Sequence, residues 1–194
     1  MIHNKYYEIM KQFLGDYSRK IYGRELIDKV NISQKNIALT LDKLEQVGIV
    51  SSEIRGNTRY FFLNKKNPIC RKYILLAEIE NSIRFLEKHQ KLVQIFNKIK
   101  TTDSRFICIF GSYAKGNERK DSDLDLFVVG GIDESKLKKL GRDYNLEINV
   151  KEGSVSDFVK LLESKNPLIN EILEHHIIIS GYEKFIEIVT GEKW

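Results

Sequence analysis

A two-domain protein of the α+β class, with a helical segment between its domains, follows from three observations. Charge divides unevenly: residues 1–100 hold 19 Lys+Arg against 10 Asp+Glu, and residues 101–194 hold 13 against 17. Apolar residues recur at helical spacing, without a breaker, over residues 68–100. Beyond that segment, short apolar runs alternate with helical stretches, the pattern of a mixed α/β unit. The expected boundaries are therefore 1–67, 68–100 and 101–194.

The bulk numbers narrow the class. With 42% apolar and 30% charged residues in 194, the chain reads as an ordinary soluble globular protein. Cys70 and Cys108 lie far apart and lack metal-ligand spacing, so a reducing compartment is expected. No apolar run approaches the ~20 residues a membrane helix needs. The start, MIHNKYYEIM, is too polar for a signal peptide. The expected location is the cytoplasm, with no membrane partner.

In the first region, Tyr6, Ile9, Met10, Phe13 and Leu14 recur at helical spacing. Glu25 to Val30 predicts a short helix. Ser33 suits the N-cap of a third, whose apolar seam is Ile37, Leu41, Leu44 and Val47 and which Gly48 ends. Residues 49–54 and 59–63 read as strands of a hairpin with Arg55-Gly56-Asn57-Thr58 between them. Gln34, Lys35, Asn36, Thr40 and Lys43 fall off the seam. These are types that reach base edges and phosphates when a helix enters the major groove. Arg55 and Arg59 at the hairpin suit backbone contact.

That order of elements, and the stretch SQKNIALTLDKLEQVGIVSSEIRGNTRYFFLN, resembles the winged helix-turn-helix regulators of the ArsR/MarR kind. The resemblance implies an N-terminal winged helix that binds DNA and acts in transcription regulation. The 68–100 segment then connects the domains or pairs with a second copy, so a homodimer is an expected form.

The third region predicts strands at 105–110, 124–129 and 146–150. Helices are expected at 135–144, from a cap at Ser156 through Leu162, from Asn166-Pro167, and over 182–189. Within it stands GSYAKGNERKDSDLDL, residues 111–126. Side chains alternate along a strand, so Asp123 and Asp125 share one face. Two carboxylates ~4 Å apart repel by about 4 kcal/mol at a surface-like dielectric, and a divalent cation removes the conflict. Gly111 permits close backbone approach, and Ser112 adds a hydroxyl; together they suit a phosphate. Lys115, Arg119 and Lys120 lie in the intervening loop. Glu147 stands on the face opposite Leu146, Ile148 and Val150, and is the natural third carboxylate.

Gly111-Ser112, ten residues, Asp123-x-Asp125 and a later acidic residue on a strand resemble the DNA polymerase beta-like nucleotidyltransferases, especially the minimal branch. The resemblance implies a C-terminal mixed α/β nucleotidyltransferase fold that uses Mg²⁺, two ions, and a nucleoside triphosphate, ATP being the expected one. It implies catalytic and metal-binding roles for Asp123, Asp125 and Glu147, with Gly111, Ser112, Lys115 and Lys120 on the nucleotide. Transfer of a nucleoside monophosphate to a hydroxyl or other acceptor, in protein or RNA, follows, and Glu147 is the member on which turnover depends. Two other roles fit the same parts: an antitoxin-like modifying enzyme without regulation, and a nucleotide sensor without chemistry. His175-His176 reads as a helix C-terminus, His3 and His89 as isolated exposed residues, and the Lys136, Lys138, Lys139 group as a solvated helix face.

Overall fold

The computed structural model describes residues 4–99 and 104–191; His3 and Trp194, like residues 100–103, lie outside them. The chain divides into two compact units, Met1–Glu80 and Asn81–Trp194, and the division falls inside a long helix.

The first unit opens with helix α1 (Asn4–Met10), which tightens into a 3₁₀ turn over Lys11–Phe13. Strand β1 (Ile21–Tyr22), a 3₁₀ turn (Gly23–Leu26), helix α2 (Gln34–Gln46), strands β2 (Val50–Arg55) and β3 (Thr58–Leu63), and the first part of helix α3 (Pro68–Lys88) follow. The helix expected at Glu25–Val30 is thus a 3₁₀ turn two residues earlier. Ile27 donates to Arg24 in the three-residue pattern, and residues 27–29 are a turn. So short a stretch gains too few i→i−4 bonds to hold an α-helix.

Three of the four expected seam residues of α2, Ile37, Leu41 and Leu44, are buried, while Val47, at the C-cap, is exposed; α2 packs on α1, which buries Tyr7, Ile9 and Met10. Ser33 holds the N-cap position, but its hydroxyl accepts from the Asn36 side chain and not from the helix backbone. Gly48 follows the helix at φ +73°, a left-handed conformation that turns the chain so that Ile49 N–H reaches the Leu44 carbonyl. The three strands pair antiparallel in the order β1-β3-β2. Arg55 stands opposite Thr58, so only Gly56-Asn57 form the turn, with Gly56 at φ +57°.

The second unit continues from α3 through α4 (Gln90–Asn97), β4 (Ser104–Phe110), α5 (Gly111–Lys115), β5 (Leu124–Gly130), α6 (Glu134–Asp143) and β6 (Ile148–Gly153). Helices α7 (Val155–Glu163) and α8 (Pro167–Glu174), strand β7 (Ile177–Ser180) and helix α9 (Tyr182–Thr190) complete it. Ser154 caps α7, not Ser156, because Asp157 three residues on completes a reciprocal capping box with it. Asn166 caps α8 with Pro167 at its first position.

The sheet runs β6-β5-β4-β7, with β5 and β6 parallel and the other pairs antiparallel. One face carries Ile109, Leu124, Leu126 and Ile148. It packs on Leu137 of α6, Leu92 and Ile95 of α4, and Phe85 of α3. The other face is split along its length. At one end Phe106 and Phe127 form an aromatic cluster with Phe158 of α7 and Phe185 of α9. At the other end, two residues back along β5, that same face presents Asp125. Apolar packing thus fixes the strand while this face stays polar at Asp125. Among the described residues no helix is long and apolar enough to cross a membrane.

Candidate functional site

Asp125 is the second residue of β5, and Asp123 immediately precedes that strand. Phe110 of β4 pairs opposite Asp125, and Asn149 of β6 pairs opposite it on the other side. Gly111 follows Phe110 at φ +69°. A Cβ there would meet the Asp125 Oδ2 at 2.5 Å. The turn into α5 therefore passes directly over the carboxylate, which only glycine allows.

Asn149 Nδ2 donates toward both carboxylates, 3.3 Å to Asp123 Oδ2 and 3.5 Å to Asp125 Oδ1. Burial pushes the Asp125 carboxyl above its ordinary value. The Asn149 hydrogen bond opposes that, Asp123 adds to it, Lys151 opposes it, and Glu171 adds to it. Holding a second carboxylate beside this one is costly in the free protein, and a cation would relieve it.

Glu147 departs from the expected place. It lies just ahead of β6, exposed, while its backbone carbonyl accepts from Leu124 N–H at 2.9 Å. Its parity with Asn149 is as expected, but the parallel register puts Asn149 and not Glu147 opposite Asp125. Among the described residues, no three His, Cys, Asp or Glu side chains gather into a set able to hold a metal. The third polar group beside the aspartates is thus an amide. Glu147 instead helps line a cleft of about 720 Å³ with Lys138, Arg142, Asn145 and Asn149.

The loop residues divide similarly. Ser112 is half-buried in α5, next to Gly111. Lys115 is held by Glu171 of α8 at 2.6 Å. Arg119 and Lys120 are exposed, and Arg119 N–H donates to the Ser122 hydroxyl at 2.8 Å. His89 is neither isolated nor exposed. Its Nε2 lies 2.9 Å from Glu118, its ring stacks on Phe85, and Tyr113 meets its edge. That contact holds the Glu118 carboxyl below its ordinary value. The expected helix-end role of the histidine pair holds for His176, which is buried and bonded to the Ile172 carbonyl. Asn149, Glu171 and Lys151 carry no signature in sequence, since strand register and the approach of α8 bring them to the aspartates.

In the first unit, Gln34, Lys35 and Lys43 of α2 are exposed, as is Arg55 beside the hairpin turn. Asn36 is half-buried and bonded to Lys5 and Ser33. Thr40 departs from the expectation. It is 3% exposed, because its position on the helix turns it to the face shared with Ile37, Leu41 and Leu44. Arg59 departs as well. It pairs with Asp42 at 3.1 Å and with Glu45, and it lies over the Phe61 ring, so its charge is engaged within the unit. Arg55 pairs with Glu53 at 2.6 Å.

Comparison with known proteins adds three likenesses. The chain is 22% identical over 144 residues to UvrABC system protein C of Nautilia profundicola, covering 74% of this chain and 22% of that protein. It is 26% identical over 155 residues to a DNA topoisomerase 4 polypeptide of Mycoplasma genitalium, covering 77% and 24%. The chain thus spans less than a quarter of the length of these curated relatives. A solved structure described as "Crystal structure of the toxin-antitoxin with AMP-PNP" has a TM-score of 0.35 and 14% identity, over 53% of this chain and 81% of that one. The family described as "Polymerase beta, Nucleotidyltransferase" matches residues 90–184, from the start of α4 into α9. Residues 90–184 therefore carry a nucleotidyltransferase domain of the polymerase beta kind.

Proposed function

We propose that this protein is a DNA-binding regulator whose second unit binds a nucleoside triphosphate with a divalent cation and transfers its nucleoside monophosphate. The observation that carries the second half is the Asp123/Asp125 pair, covered by the left-handed Gly111 turn within the matched domain.

The residues present fit a hard cation. Two carboxylates and an amide, on one face of adjacent strands, are oxygen donors of the kind Mg²⁺ takes together with substrate phosphates. Asp123 and Asp125 would hold it, and when bound it supplies charge neutralisation at the phosphates. Gly111 turns over Asp125, and the backbone there with the Ser112 hydroxyl would meet the triphosphate. Lys115 and Lys120 supply positive charge at the rim, Lys115 once it leaves Glu171. In the transfer, an acceptor oxygen forms a bond to the α-phosphorus. The bond from that phosphorus to the β-bridging oxygen breaks, and pyrophosphate leaves with the electron pair. The acceptor's proton passes to water or to a carboxylate at the site.

The first half rests on the order of helix, 3₁₀ turn, helix and hairpin, read as a winged helix, and on the basic balance of residues 1–80, 14 Lys+Arg against 9 Asp+Glu. Gln34, Lys35 and Lys43 would meet DNA from α2, and Arg55 from the hairpin.

The test uses triphosphate labelled at the α-phosphate, Mg²⁺, and total RNA or protein as acceptor. Label should become covalently attached with wild type, and attachment should fall at least about 100-fold with Asp125→Asn. Equal labelling by both proteins would refute the site.

A further inference from the structure

We infer that Asn149 is the third member of the cation site, its side-chain amide supplying a neutral oxygen ligand beside the Asp123 and Asp125 carboxylates. The inference rests on the proposed cation–nucleotide site.

The geometry is specific. Asn149 is the residue opposite Asp125 in the parallel β5–β6 pairing. Its one NH₂ group lies within hydrogen-bond reach of both carboxylates. An amide carries a donor end and an acceptor end on the same carbon, so half a turn of the side chain exchanges them. The NH₂ end faces the two carboxylates. With a cation between the aspartates, that end would meet like charge, and the carbonyl end is the one that fits. At 3.3 and 3.5 Å these bonds are long, so turning the amide costs little.

The charge count has a consequence. Two carboxylates and an amide give the site a charge of −2, enough to neutralise one divalent cation. A second cation would have to rely on the triphosphate alone. No other described carboxylate joins the pair as a metal set. Glu147 lines the same cleft as Asn149 but is not opposite Asp125 in the strand register, and Glu171 is tied to Lys115. The expectation of two ions therefore gives way to one ion bound with the nucleotide.

Mn²⁺ titration, followed calorimetrically and by the spin signal of the free ion, tests this on the full chain without any turnover. Wild type should bind one Mn²⁺ in the presence of a non-hydrolysable triphosphate. Asn149→Asp should raise Mn²⁺ affinity about tenfold or more and admit a second ion, because ligand charge sets cation affinity. Asn149→Leu should lower affinity by about tenfold, with its fold checked by circular dichroism. Unchanged affinity and stoichiometry in the folded Asp and Leu variants, beside a wild type that binds and an Asp125→Asn variant that does not, would overturn the role of Asn149 alone. No Mn²⁺ binding by wild type, or binding that Asp125→Asn leaves intact, would overturn the nucleotide-site reading and this inference with it.

Discussion

Gly111 and Asp125 are one local arrangement. The glycine takes φ +69° so that the chain can turn over the carboxylate, and its missing side chain is the space Asp125 occupies. Gly111→Ala adds about 1–2 kcal/mol of left-handed strain to a steric clash, so it should lower the melting temperature by several degrees and weaken nucleotide binding. Asp125 is set against its surroundings. Its raised carboxyl means that wild type loses stability as pH rises through that group's folded value, while below about pH 4 the group is protonated in folded and unfolded chains alike. Asp125→Asn should therefore raise the cation-free melting temperature at pH 7, and the gain should vanish near pH 3. A melting series over pH checks both the sign and the window; a variant less stable at pH 7 contradicts it. The Asp-x-Asp pair and its glycine are legible in the sequence because spacing and alternation decide them. Asn149 is not, because only register separates it from Glu147, and the loop and helix between β5 and β6 leave register open.

At the scale of elements, the hairpin and α2 are fastened to each other by side chains that a charge map would assign to DNA. Arg59 reaches Asp42 and Glu45 on α2, and Ser52 on the neighbouring strand. Its guanidinium is thus neutralised within the unit, whereas Lys35 and Lys43 stand exposed on α2. Arg59→Ala should destabilise the first unit by about 1 kcal/mol, these pairs being partly exposed, and leave the salt dependence of DNA binding nearly unchanged. Lys43→Ala should do the reverse, reducing the salt slope by about one unit at constant stability. Filter binding across a salt series separates the two, and a flattened slope for Arg59→Ala would contradict the assignment. Helix seams and the hairpin can be read from periodicity because burial enforces it along Ile37, Leu41 and Leu44. The two-residue β1 is too short to alternate. Strand β7, Ile177–Ser180, follows a helix so directly that its apolar run reads as part of the closing helices.

Across the whole molecule, charge is uneven along the chain, and the two compact units divide it as 14 Lys+Arg against 9 Asp+Glu in residues 1–80 and 18 against 18 in residues 81–194. Residues 1–100 carry an excess of nine positive charges, and residues 101–194 an excess of four negative ones. A triphosphate carries the same sign of charge as the Asp123/Asp125 pair, so its binding there is predicted to depend on a divalent ion. That dependence is the centre of the account. Calorimetric titration of ATP into the full chain, with Mg²⁺ and then with EDTA, measures it directly. Binding should appear with Mg²⁺, vanish with EDTA, and be lost from the folded Asp123→Asn and Asp125→Asn variants. Binding that survives EDTA, or that survives both substitutions, would contradict the account.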